Sequence, residues 1–266
     1  MAEAPEADLT GWTSAPFTGG GLTHDVYRKG DGPGVVLIPE MPGIHPGVLA
    51  LGNHLVDNGF TVASPSLYGT PGAPALRPAA VVTLVRGCVA KEFAAFATNR
   101  SRPVSLFLRA LARDLNERTP GKGVGVIGQC FSGGFALAAA VDDSVLAPVL
   151  SQPSVPLPLT PAQRRDPGLS EEELRVIERR AADEGLCATG LRFSEDRMSP
   201  RDRFQTLKDR LGDAFEVIEI NSGPGNPGGF SRMAHGVLTD QLREFDGHPA
   251  YEARKRMVEF LRSRLG

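Results

Sequence analysis

The sequence predicts an α/β protein, a largely parallel central sheet covered by helices on both faces. Three observations carry this. Apolar, β-branched runs without alternation recur at 35–38 and 124–127, the pattern of strands buried on both faces. Amphipathic helical stretches fall between the strand runs, the alternation that builds a parallel sheet. No internal repeat and no convincing linker divides the 266 residues, so 1–266 reads as a single domain. With 41% apolar and 23% charged residues the chain can fill one core.

Residues 1–20 read as an irregular N-terminal segment. Residues 22–27 alternate like an edge strand, and a Gly-Asp-Gly-Pro-Gly turn at 30–34 separates them from the buried run Val35-Val36-Leu37-Ile38. Pro39-Glu40-Met41-Pro42-Gly43 breaks that strand. A helix follows over 46–58 with Gly59 as its stop, then a second interior strand at 61–65. Residues 69–103 are Pro-rich at first, then carry an apolar stretch at 81–89 and a helix through Phe93 and Phe96. A helix is expected over 106–115, a third buried strand at 124–127, a small-residue helix over 134–141 and a fourth strand at 145–150. After the Pro-rich residues 151–168, Ser170 followed by three glutamates marks a helix N-terminus. Strands at 187–193 and 215–220 flank a helix near 200–211. A Gly/Pro/Asn-rich loop at 221–229 leads to Met233-Ala234-His235-Gly236, and an amphipathic helix over 249–265 closes the chain.

A net charge of −2 with interspersed signs gives no footprint for nucleic acid. No window reaches 18 uninterrupted apolar residues, so no membrane span is expected. Cys88, Cys130 and Cys187 are odd in number and widely spaced. With an acidic, non-apolar start, they point to a reduced, cytoplasmic setting. His24, His45 and His54 lack ligand spacing and the cysteines do not cluster, so no metal or other cofactor is expected. Each of those histidines reads as a surface or satisfied-core residue. The partner expected is a small-molecule substrate, with the protein a monomer or homodimer.

The chemistry concentrates at Gly128-Gln129-Cys130-Phe131-Ser132-Gly133-Gly134, between a buried strand and a small-residue helix. This is the setting of a nucleophile elbow, a tight turn that needs small residues two before and two or three after its centre. Gly128, Ser132 and Gly133 meet that need. A thiol at a helix N-terminus is favoured as thiolate, and the Phe131 N–H can donate to a developing oxyanion. A buried structural cysteine is the commoner fate of a free thiol, but the turn reverses those odds. Gly123-Val124-Gly125-Val126-Ile127-Gly128 also matches a dinucleotide-binding G-x-G-x-x-G, yet here the motif forms the strand instead of following it.

A nucleophile needs a base and an orienting acid, in the chain order nucleophile, acid, histidine. His235, between small residues after the last strand, is the base, whereas His248 reads as a surface or capping residue. In Ser194-Glu195-Asp196-Arg197, Asp196 is the acid and Glu195 a solvated loop residue. Glu40 ends a buried strand, where a carboxylate requires a partner or a task. The N–H of Met41 beside it suits a second oxyanion donor.

Together these four blocks resemble the dienelactone hydrolase family, over about residues 20–262. The resemblance implies the α/β-hydrolase fold and hydrolysis of an ester or lactone through a thioester acyl-enzyme. It implies Cys130 as nucleophile, His235 as base and acid, Asp196 as its orienter and Glu40 as thiol activator, with Phe131 and Met41 giving backbone donors. Ser132 stands where a glycine is frequent. Segments 69–103 and 151–185 look longer or more Pro-rich than a minimal member needs, as site-covering insertions would. Arg86 and Arg232 are candidates for substrate carboxylate binding, with a plain surface role the alternative for each. Two other functions compete with hydrolysis: lactonisation, cyclisation or C–C bond chemistry in secondary metabolism, and non-catalytic ligand binding.

Overall fold

The computed structural model describes residues 9–74, 93 and 97–266. Eight strands form one sheet in the order β1-β2-β4-β3-β5-β6-β7-β8. They are β1 (Thr13–Gly19), β2 (Leu22–Lys29), β3 (Gly34–Ile38), β4 (Thr61–Pro65), β5 (Val124–Gln129), β6 (Val145–Ser151), β7 (Ala188–Phe193) and β8 (Phe215–Ile220). β1 pairs β2, and β2 pairs β4, antiparallel. Every other neighbouring pair is parallel. The expected largely parallel α/β sheet is therefore present.

The non-alternating runs are explained by two cores, one on each face. Val36, Ile38 and Val126 pack with Phe107, Leu111 and Leu115 of the helix Pro103–Arg118. Their sequence neighbours Val35, Leu37 and Ile127 pack with Leu55 of the helix Pro46–Asp57 and Met257 and Leu261 of the helix Pro249–Leu265. A strand whose successive side chains enter opposite cores has no polar face to show. Strand order reverses around β3, which has β4 on one side and β5 on the other. Such a switch point opens a crevice at the carboxyl ends of the strands, and ligands bind there.

The N-terminal segment is more regular than its sequence suggests. Residues 13–19 are not irregular: they form β1, which pairs with β2 from Thr13↔Arg28 to Gly19↔Leu22 and makes β2 an inner strand, not the edge. β1 is mostly exposed, so it has no apolar period to read. Its ladder and Phe17, edge-on to Phe107 with centroids 5.6 Å apart, hold it. The helix expected over 134–141 is shorter, a 3-10 turn at Cys130–Ser132 and then Phe135–Ala139. The capping box read at Ser170 is present, with Ser170 and Glu173 exchanging hydrogen bonds at the start of Glu171–Glu184. The expected stretch at 81–89, Phe96, Cys88 and Arg86 lie outside the described residues.

The Pro-rich loop after β6 supplies many carbonyls and few N–H donors. Arg203 meets that deficit. Its buried guanidinium donates to the carbonyls of Pro153, Pro156, Gln163 and Asp166 at 2.6–2.9 Å. Burial pushes its pKa down to about 10, which still leaves it charged at neutral pH. The loop that follows β6 is thus fixed where it meets the elbow.

Candidate active site

Cys130 follows β5 with φ +50°, a left-handed conformation that strains a residue with a side chain by about 1–3 kcal/mol and marks functional turns. The turn is tight enough that a Cβ on Gly128 would lie 2.4 Å from the Ser132 carbonyl oxygen, and one on Gly133 2.5 Å from Pro153 Cα. Both obstacles are backbone, so glycine is required at the two positions. Ser132 does more than fit. Its hydroxyl accepts from the Gln129 N–H at 3.0 Å and lies within donating reach of the Gln129, Pro39 and Ile38 carbonyls at 2.9–3.2 Å. It ties the elbow to the end of β3, where Met41 sits.

Asp196 and His235 are brought together, 39 residues apart in the chain. Asp196 Oδ2 lies 2.7 Å from His235 Nδ1. Its Oδ1 accepts from the N–H groups of Met198 and Ser199 at 2.9 and 3.3 Å, so the buried carboxylate is fixed from both ends. Glu195 is exposed. Burial opposes a charged His235. The Cys130 sulfur on its other side, together with hydrogen bonds to Asp196 and Cys130, nevertheless raises its pKa well above the ordinary 6.5. The imidazole thus stands between the carboxylate on its Nδ1 and the charge of the Cys130 sulfur.

Glu40 is buried at the mouth of β3. It accepts from Gln152 Nε2 at 3.2 Å and from the Thr239 hydroxyl, and His45 Nε2 lies 3.3 Å from Oε1. These contacts do not include Cys130. Phe131 is buried against Phe93 with centroids 5.4 Å apart, and Met41 is partly buried against the same core. Arg232 is exposed and lines a cavity of about 380 Å³ with His235, Asp196, Arg197, Met198 and Met233. It therefore stands beside the imidazole, whereas Arg86 is not among the described residues. His248 stands at the N-cap of the helix Pro249–Leu265, where its carbonyl accepts from the Glu252 N–H at 3.0 Å, so the capping position is as expected, but it is not a surface residue. It is buried between Phe230 and Phe245, with ring centroids 5.2 and 5.1 Å away, and its side chain makes no capping bond. Phe245, on the turn just before it, and Phe230, from the preceding loop, enclose the ring.

Sequence reasoning missed four neighbours. Ser154 Oγ lies 3.6 Å from Cys130 Sγ, and the Ser154 N–H donates to the Cys130 carbonyl at 2.9 Å. Gln152, Thr239 and His45 surround Glu40. Only His45 carried a signal, as the residue opening a helix at Pro46. Gln152 and Ser154 follow the end of β6 and Thr239 lies in the turn after His235, none with a local motif. Among the described residues no group of three or more His, Cys, Asp or Glu is placed to hold a metal, and no helix is long and apolar enough to cross a membrane.

Asp196→Asn keeps the two turn hydrogen bonds but offers His235 Nδ1 an amide that can no longer fix the required tautomer. If the arrangement is catalytic, kcat/KM falls on the order of 10²–10⁴-fold with little change in Tm. Steady-state kinetics beside a thermal melt check both halves.

The model of the dienelactone hydrolase family matches residues 24–265. A candidate dienelactone hydrolase from Klebsiella pneumoniae subsp. pneumoniae superposes with TM-score 0.64 at 17% identity, covering 94% of this chain and 98% of that one. A dienelactone hydrolase from Anabaena variabilis gives 0.59 at 13%, covering 96% and 98%. A dienelactone hydrolase-like promiscuous phosphotriesterase from metagenomic libraries gives 0.58 at 17%, covering 96% and 98%. At these identities the likeness carries the fold, that of the α/β-hydrolases. No curated protein matches the chain.

Proposed function

The chain belongs to the dienelactone hydrolase family, and on that premise we propose that it cleaves an ester or lactone through a thioester on Cys130. Family membership makes it a hydrolase of such bonds. The observation that carries the nucleophile is Cys130 held at φ +50° in the elbow, with His235 on its sulfur side and Asp196 behind the imidazole.

In the first step the Cys130 thiolate attacks the carbonyl carbon and the C=O electron pair moves to oxygen. The N–H groups of Phe131 and Met41 receive that oxyanion, and loss of one such donor typically costs about 2.7–4 kcal/mol. Collapse expels the alkoxide, which takes a proton from the His235 imidazolium. In a lactone it stays tethered as the hydroxyl of the acyl group. His235, now neutral, removes a proton from water as the water adds to the thioester. The second tetrahedral intermediate expels the thiolate and releases the acid. A thiol nucleophile favours a reducing compartment, which supports a cytoplasmic setting.

The test is turnover of a panel of p-nitrophenyl esters and lactones. Hydrolysis of at least one class, releasing the free acid, is expected. Intact binding without turnover of any member overturns hydrolysis and leaves a ligand-binding protein. Release of a lactone instead of the free acid from an activated hydroxyacyl ester overturns it in favour of lactonisation.

A further inference from the structure

The family resemblance gives Glu40 the task of taking the thiol proton, but in this chain both of its oxygens are engaged by other partners. Oε1 accepts from the Thr239 hydroxyl and faces His45 Nε2 at 3.3 Å, while Oε2 accepts from Gln152 Nε2 at 3.2 Å. His45 Nδ1 accepts from the Gly47 N–H at 3.1 Å. The ring proton therefore sits on Nε2 and is donated to Glu40. The three partners come from three regions: His45 caps the helix Pro46–Asp57, Gln152 follows β6, and Thr239 lies four residues past His235. Gln152 is itself buried in a left-handed backbone, φ +35°. Its side-chain oxygen accepts from the Ser151 hydroxyl and, at 3.4 Å, from the N–H of Val237, two residues past His235.

A carboxylate swung out to Cys130 would leave the buried Gln152 amide without its acceptor. Burial opposes the charge on Glu40, yet His45, Thr239 and His235 more than offset it and hold its pKa below the usual range. The other titratable groups facing it are Asp240, raised by burial and by the Glu40 charge, and Tyr68, kept neutral by burial and the Cys130 charge.

We propose that Glu40 is a positioning residue in this chain, an anionic clamp binding the β3 and β6 loops to the loop that carries His235. The thiol proton goes instead to His235. The proposal rests on Cys130 being the nucleophile.

The test follows alkylation of Cys130 by iodoacetamide against pH, read by peptide mass, beside ester turnover. For E40Q the pH midpoint of alkylation stays well below that of Cys187 and kcat falls on the order of tenfold, the effect of one weakened hydrogen bond. T239V gives a similar fall, T239S recovers it, and E40Q/T239V is no worse than the poorer single variant, as groups in one network require. If E40Q moves the alkylation midpoint up to that of Cys187 and lowers kcat by about 10²-fold or more, as loss of a general base does, while T239V stays near wild type, the clamp is overturned and the nucleophile stands. If Cys130 in the wild-type protein alkylates no faster than Cys187, both fall.

Discussion

Cys130→Ala lowers kcat/KM on the order of 10⁴–10⁶-fold, the range seen when a triad nucleophile is removed. The expectation follows from the turn's construction. Gly128 and Gly133 are shaped to admit the backbone that points one side chain out of the elbow, and that side chain is a thiol. Nothing in the described neighbourhood can take its place. Ser154 Oγ stands 3.6 Å away, but it follows β6 and lacks the strand-to-helix turn that presents a nucleophile. The residual rate is that of the oxyanion donors acting on water. Steady-state kinetics on any ester turned over by the wild type gives the ratio, and an unchanged Tm separates lost chemistry from lost fold. A loss below about tenfold contradicts the assignment.

His235→Asn lowers kcat/KM on the order of 10³–10⁵-fold, because it removes the acceptor of the thiol proton and the donor to the leaving alkoxide together. Alkylation of Cys130 slows as well, since no imidazolium remains to pair with the thiolate. The wild-type pH profile carries the same information. The folded pKa of His235 lies well above 6.5, so the imidazolium form persists past neutrality. Activity that needs it declines only as pH climbs through that raised value. The linked stability has the same sign: a raised folded pKa contributes stability that is complete below about 6.5 and is lost as pH rises through the folded value. In His235→Asn both alkaline trends disappear. Melting curves and kcat/KM taken from neutral to alkaline pH read them separately, and an unaltered alkaline limb in the variant counts against His235.

The parts of this site legible in the sequence are those written locally. The elbow was legible because its glycines must flank one residue within a single turn. The doubly buried β3 and β5 were legible because two cores strip a strand of alternation. Asp196 and His235 were legible from their places after β7 and β8. What escaped depends on distant segments meeting. Glu40 and Thr239 are 199 residues apart, and no local pattern marks Thr239, Gln152 or Ser154. β1 escaped for another reason: an exposed ribbon held by its ladder needs no apolar period. His248 is enclosed by its near neighbour Phe245 and by Phe230, and the second of these contacts carries no local pattern.

The central claim is a thioester on Cys130, and intact-mass analysis of protein quenched during turnover of an activated ester tests it directly. The expected result is an acyl adduct that forms no more slowly than turnover, maps to the Cys130 peptide and is absent from Cys130→Ala. Turnover without an adduct on Cys130, or the same adduct persisting in Cys130→Ala, would contradict it.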